Sequence, residues 1–397
     1  MKVKRNYAVP GFMVVLVLLA LGLVAVSRPG GVSFSCGMDP IVIGNLAGGV
    51  GSDGGQVDRQ PDGDGSVEHS DSPALTCSAE FANAVGVAVN CEVWFVYNAS
   101  LVYDSLPPNC KAVREFVKLD ELKSDGGFRC LVAMLESDTP RFQWLGAHAL
   151  NESGAAELHK RDKEFANTLL SVIAKSETDI VIQEIARSIA QVDWVSVGDW
   201  ARVASLMKTH SNTVVRMKLV LAGQQFPNSF DVYYLLAHTD KDPGVRADSV
   251  GMVWERAPEA RQGEVIGMYV TLADDTNEEV AAASVLECST HSECASHYID
   301  MLALMERRAK AGKIDSLRWA NVPRQVYSQS KSAVVRKRAI TSAKLTVENV
   351  QNNAIVRAYH LGFVVDVAPD GKSFAKRFLN DEWLSVRIAA QKNVGGR

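Results

Sequence analysis

A short pattern recurs along the C-terminal two thirds of this chain, and its spacing constrains the fold more than any other feature. Its clearest copy is Asp242-Pro243-Gly244-Val245-Arg246-Ala247. Asp242 is a good N-cap, because its carboxylate accepts from the orphan N–H groups of a first helical turn. Pro243 suits the position after it, where no N–H is needed. The same column runs through Thr139, Asp179, Asn212, Asp242, Asn277, Ser332 and Asn353, all residues of capping type. Three places on stand Phe142, Ile182, Val215, Val245, Val280, Val335 and Val356, with Val386 completing the set after Trp383. The fourth place holds Gln143, Gln183, Arg216, Arg246, Ala281, Arg336, Arg357 and Arg387. Successive apolar positions are separated by 40, 33, 30, 35, 55, 21 and 30 residues, and most of these steps match one helical hairpin.

Asp-x-x-Val-Arg-x-x-Ala at the start of a second helix resembles the HEAT family of α-solenoids, from about residue 127 to the C-terminus. The resemblance implies an all-α fold of stacked helical hairpins and is silent on chemistry. It also implies that the fourth-place arginine bonds a capping aspartate of a neighbouring repeat, forming a ladder. Ala281 replaces the arginine, and Asn212, Asn277 and Asn353 replace aspartate, so only some rungs can be charged. Between residues 287 and 367 two registers fit. In one, 332–345 is a second helix after an inserted helix near 291–311. In the other it is a first helix, with Leu317-Arg318 and Val356-Arg357 opening second helices. Steps of 37 and 39 from Ala281 to Arg318 to Arg357 favour the latter. The first helices follow from apolar period: 128–136, 163–175, 199–210, 229–239 and 259–273. Phe165, Leu169, Leu170 and Ile173 share one face, a stripe that reads as core.

The N-terminus speaks to compartment. Lys2, Lys4 and Arg5 precede an uncharged apolar run over residues 8–26, the pattern of an export signal. Residues 1–31 are therefore read as a signal peptide or an N-terminal transmembrane anchor. Ala25 and Ser27 suit cleavage, and the length suits a span. Cys36 lacks the preceding aliphatic residue of a lipoprotein site. Residues 32–75, rich in Gly, Asp and Ser, are expected to form a flexible tether. Two matches there carry little. Gly49-x-Gly51-x-x-Gly54 lacks the helix a dinucleotide fingerprint needs, and the Asp62 to Asp71 cluster lacks the flanking helices of a calcium loop.

Residues 76–126 read as a small disulfide-stapled cap. Val85, Val87, Val89, Cys91 and Val93 alternate as in a half-buried strand, and 111–122 suggests an amphipathic helix. Cys77, Cys91, Cys110 and Cys130 fit two disulfides in an exported chain, with three pairings open. Further along, Cys288-x-x-His291-x-x-Cys294-x-x-His297 has zinc-ligand types. Steps of three rotate by about 300° on a helix, so zinc would need a break near 290–292, whereas a Cys288–Cys294 disulfide needs only the turn. Enzyme signatures such as HExxH, GxSxG and the P-loop do not occur, and the expectation is of no catalytic site and no cofactor.

Charge is segregated. Glu264, Asp274, Asp275, Glu278, Glu279, Glu287, Glu293, Asp300 and Glu306 follow one another with no lysine or arginine between them. The sign then flips. Arg307, Arg308, Lys310, Lys313, Arg318, Arg324, Lys337 and Arg338 are the partner-binding candidates, weighed against pairing within the chain. A net charge of −4 spread over 397 residues offers no global field for nucleic acid. The resulting expectation is an exported HEAT-like scaffold for a protein partner, tethered to a membrane by its N-terminal helix. The alternative is a secreted metal- or ligand-binding module using the cysteine-rich segment or the Cys/His turn.

Overall fold

The structure is a computed structural model that describes residues 77–89, 108–223, 226 and 228–394. The apolar run, the tether with its two motif matches, Cys36, Cys91 and Val93 lie outside them. Among the described residues every element is helical, and none is long and apolar enough to cross a membrane. Two compact units divide at Val192 and Asp193.

The N-terminal unit begins with α1 (Ala79–Ala88) and α2 (Pro108–Phe116), which pack together. The strand expected through Val85 and Val87 is a helix instead. The Ser78 hydroxyl accepts from the Phe81 N–H, which starts a helix. Phe81, Val85 and Ala88 then fall at helical spacing and are buried, while Val87 is 47% exposed. The alternating valines show a period of two that the small Gly86 and Ala88 between them do not oppose, and the cap decides the matter. The helix expected over 111–122 stops at Phe116 and resumes as a single 3-10 turn, Asp120–Lys123. Two hairpins follow, α3 (Asp125–Leu135) with α4 (Pro140–Ser153), and α6 (Lys163–Lys175) with α7 (Asp179–Ile189). Between them the short α5 (Ala155–Leu158) follows Gly154, whose φ of 78° ends α4 in a left-handed turn. Like helices stack on like, α3 on α6 and α4 on α7, and Phe165, Leu169, Leu170 and Ile173 are all core. Cys77 is bonded to Cys130, tying the start of α1 into α3, and Cys110 is also disulfide-bonded.

The C-terminal unit opens with α8 (Trp194–Val197), α9 (Trp200–Thr209), α10 (Thr213–Ala222), α11 (Phe230–Thr239) and α12 (Pro243–Arg256). It continues with α13 (Gln262–Leu272), α14 (Glu278–Thr290), α15 (Tyr298–Lys310), α16 (Val322–Gln329), α17 (Ala333–Glu348), α18 (Ala354–Val367), α19 (Gly371–Lys376) and α20 (Leu384–Val394). The even-numbered helices from α10 onward form a row. α10 packs on α12, α12 on α14, α14 on the 3-10 turn Leu317–Asn321 and α16, that turn on α18, and α18 on α20. α17 packs on α15, α16 and α18, so Arg318 and Arg357 lie in the row and 332–345 does not. This is the second of the two registers.

Asn212, Asp242, Asn277, Ser332 and Asn353 cap their helices through the side chain. Thr139 does not, and Asp179 is the first helical residue after an N-cap at Thr178. Third-place Ile182, Val215, Val245, Val280, Val335, Val356 and Val386 are buried, whereas Phe142 is only half-buried.

Candidate functional site

The fourth-place side chains have a local task that the sequence did not disclose. Five of the eight reach back to the carbonyl six residues earlier and close the turn before their own helix, whereas Arg357 donates through Nε to Val347 O, ten residues back. Gln143 donates to Ser137 O (2.7 Å), Arg216 to His210 O (2.7 Å), Arg246 to Asp240 O (3.0 Å), Arg336 to Ser330 O (2.7 Å) and Arg387 to Asp381 O (2.6 Å). An arginine has donors left over. Arg216 uses Nε and Nη2 to grip both oxygens of Asp240 at 2.9 Å, Arg357 uses Nη1 and Nη2 on Asp381 (3.3 and 2.5 Å), and Arg246 shares its Nη2 between the two oxygens of Asp275 (3.3 and 3.4 Å).

The acceptors are therefore not the capping residues. Asp240, Asp275 and Asp381 each stand two positions before the cap place, where Oδ1 also accepts from the backbone N–H of residue 242, 277 or 383. One carboxylate thus shapes a turn and holds a guanidinium from the preceding helix of the row. The signal lay in the repeats Asp240-x-Asp242, Asp275-x-Asn277 and Asp381-x-Trp383. At α14, Ala281 leaves the rung out. Arg318 points backward instead, donating to Asp248 (2.7 Å) and approaching Glu279 (3.6 Å).

A carboxyl cluster surrounds that arginine on α12 and α14. Burial raises the Asp248 carboxyl above its ordinary value against the pull of Arg318. Glu287 is pushed up to about 7, mainly by burial, with Arg318 opposing and Glu255 adding repulsion. Its half-buried carboxyl makes no hydrogen bond or ion pair with the described residues, and the bare Cα of Gly251 faces it. Glu287 can hold or release a proton near neutrality, which sequence reasoning missed because its neighbours come from α12 and the 317–321 turn.

Cys288 and Cys294 are joined to each other, so neither sulfur is a free thiolate. His291 lies flat on Trp254, ring centres 4.0 Å apart, and burial lowers its basicity. His297 belongs to a different place, the cleft between α13 and α15. The four candidate zinc residues do not converge, and among the described residues no group of three His, Cys, Asp or Glu side chains is placed to hold a metal.

The basic run splits in two. Arg308 donates to Asp275 O and faces the Trp319 ring, Arg318 is held by Asp248, Arg324 meets Asp366 (2.8 Å), and Arg338 grips Glu306 (3.1 and 3.2 Å). These four are tied within the chain. Arg307, Lys310, Lys313 and Lys337 are exposed and pair with no described residue. Each unit also has one concave place among the described residues. The first, about 290 Å³, is the α13–α15 cleft, floored by Val270, Ala273, Met301 and Leu304 and rimmed by Asp274, His297, Asp300 and Arg307. The second, about 930 Å³, is a polar groove of the N-terminal unit between the α3–α4 connection and α6.

No protein-family model and no curated protein matches this chain. The functional reading therefore rests on the residues themselves.

Proposed function

We propose that this chain is an extracytoplasmic HEAT-like α-solenoid that acts as a scaffold for protein–protein interaction, held at a membrane by its N-terminal apolar run. The observation that carries the reading is the set of arginine–aspartate rungs running from one helix of a row to the turn before the next. Such a unit contacts only its neighbours and presents long faces, which suits binding of extended partners and not chemistry. The disulfides Cys77–Cys130 and Cys288–Cys294 support an oxidising compartment. Arg307, Lys310, Lys313 and Lys337, exposed and paired with no described residue, are the partner-facing cations, and the partner is a protein with an acidic surface. Nucleic acid is not a partner in this reading, and no cofactor is required.

The test has two arms. Protease added outside intact cells should digest the chain, and full protection would end the export claim. In protein recovered from its own compartment, Lys310, Lys313 and Lys337 should cross-link to one recurrent partner. Reversing those three charges should abolish the cross-link while Arg324→Glu leaves it intact; equal loss from both would remove the partner assignment.

A further inference from the structure

The α13–α15 cleft carries three exposed charges, Asp274, Asp300 and Arg307, around an apolar floor, and none is paired with a described residue. Asp300 and Arg307 are seven residues apart on α15. Two helical turns put them on one face but about 10 Å apart along the axis, too far to meet each other. The positions that could pair with Asp300 on its own helix, three and four residues on, are Ala303 and Leu304. The chain thus offers an acid and a base on one stripe with a small residue and an apolar residue between them, and no partner for either among the described residues.

We infer that the chain self-associates through this stripe, α15 packing antiparallel on α15 of a second copy so that Asp300 of each copy pairs with Arg307 of the other. A two-fold axis crossing the helix between Ala303 and Leu304 makes both pairs at once, since an isologous contact that sets one residue against another must also set the second against the first. Ala303 lies at that axis, where a short side chain permits close approach. Beside it, α13 exposes Gly263, Gly267 and Val270, and a Cβ built on either glycine meets nothing within 4 Å, so the flanking surface is smooth as well. A partner of one charge sign would meet a like charge at one end of the stripe. A second copy matches both ends.

The size of the face sets the expected strength. α15 has 13 residues, about 20 Å of helix, and two helices each about 10 Å across give a projected face on the order of 400 Å². Counted on both copies that is about 800 Å², below the range of stable specific interfaces, which predicts weak, transient and salt-sensitive association. The inference shares Arg307 with the scaffold reading, whose test rests on Lys310, Lys313 and Lys337 alone, so the two tests can fail separately.

The experiment is sedimentation velocity of the full chain from about 1 to 100 µM, a concentration span bracketing micromolar association, in a detergent that shields residues 8–26. The wild-type chain should dimerise and should weaken at high salt. Asp300→Arg and Arg307→Asp should each weaken the dimer at least about tenfold, the effect of 1.4 kcal/mol, because each sets like charges together twice. An equimolar mixture of the two variants should regain wild-type affinity to within a few-fold, since every contact is again between opposite charges. Both side chains are exposed, and an unchanged helical circular dichroism signal would exclude misfolding. A wild-type chain that stays monomeric, a single variant that dimerises like wild type, or a mixture that fails to recover would overturn the inference.

Discussion

The two units close the same turn with different chemistry. In the N-terminal unit Gln143 donates to the carbonyl of Ser137 and stops there, and α4 meets α7 through the Asn151 amide, which donates to Glu184. In the C-terminal unit Arg216 makes the same bond to His210 O and then reaches Asp240, with both partners nearly inaccessible at 2% and 4% exposure. A glutamine has one amide to give, whereas a guanidinium has five donors in a fork, so only arginine can close its own turn and bind the next. Each arrangement has a cost. The buried ion pair must overcome the desolvation of two charges, and the neutral clamp leaves the N-terminal unit to draw on covalent linkage through Cys77 and Cys130.

The comparison breaks first at the rungs. Arg216→Ala or Asp240→Ala should destabilise the C-terminal unit by about 3–5 kcal/mol in denaturant titrations, because each leaves one buried charge uncompensated. Replacing both with apolar residues should cost far less than either single change. Equal effects would show that the pair acts by packing alone.

Reduction sharpens the contrast from the other side. Cys77–Cys130 joins residues 53 apart, which by chain entropy corresponds to roughly 4 kcal/mol. Cys288–Cys294 joins residues 6 apart, which gives roughly 2 kcal/mol. Cys130→Ser should therefore lower the melting temperature more than Cys294→Ser, and the reverse order would refute the covalent role assigned to the N-terminal unit.

The C-terminal unit should also respond to pH in two directions. His360 is fully buried, its Nε2 hydrogen-bonded to Trp319 O, and burial lowers its pKa from 6.5 to about 4. The unfolded chain then binds more protons between those values, so stability should fall by roughly 3 kcal/mol as pH drops from 6.5 towards 4. Glu287 is the opposite case. Raised from 4.5 to about 7, it favours the folded state while protonated, and stability is lost as pH rises through that window. His360→Gln should flatten the acid limb, and Glu287→Gln should stabilise at pH 8 with no change at pH 4. A Glu287→Gln variant equally stable at both would remove the proton-holding role.

The smallest effect is expected at Gln143→Ala, about 1 kcal/mol for one neutral hydrogen bond at a half-buried site. A loss as large as that of Arg216→Ala would erase the distinction between the units.

Local signals carried much of this fold. A capping side chain acts on backbone two or three residues away, and an inward valine follows three places later, so α10, α12, α14, α17 and α18 could be read from stretches of half a dozen residues. The same locality explains the errors: at Val85 and Val87 two local patterns competed, and at Asp179 the capping type stood one place inside its helix. Only the tertiary structure decided which distant groups meet. Asp240 finds Arg216 across 24 residues, Cys77 finds Cys130, and Arg318 turns back to Asp248 while Arg307 pairs with no described residue. The Asp-x-cap repeat marks Asp240 as a turn carboxylate, but nothing near these residues names the distant partner, because each pairing depends on how whole helices stack and on which charges that stacking buries. The repeat was legible as a rhythm of caps and valines; the fate of each charge was set by where the next helix came to rest.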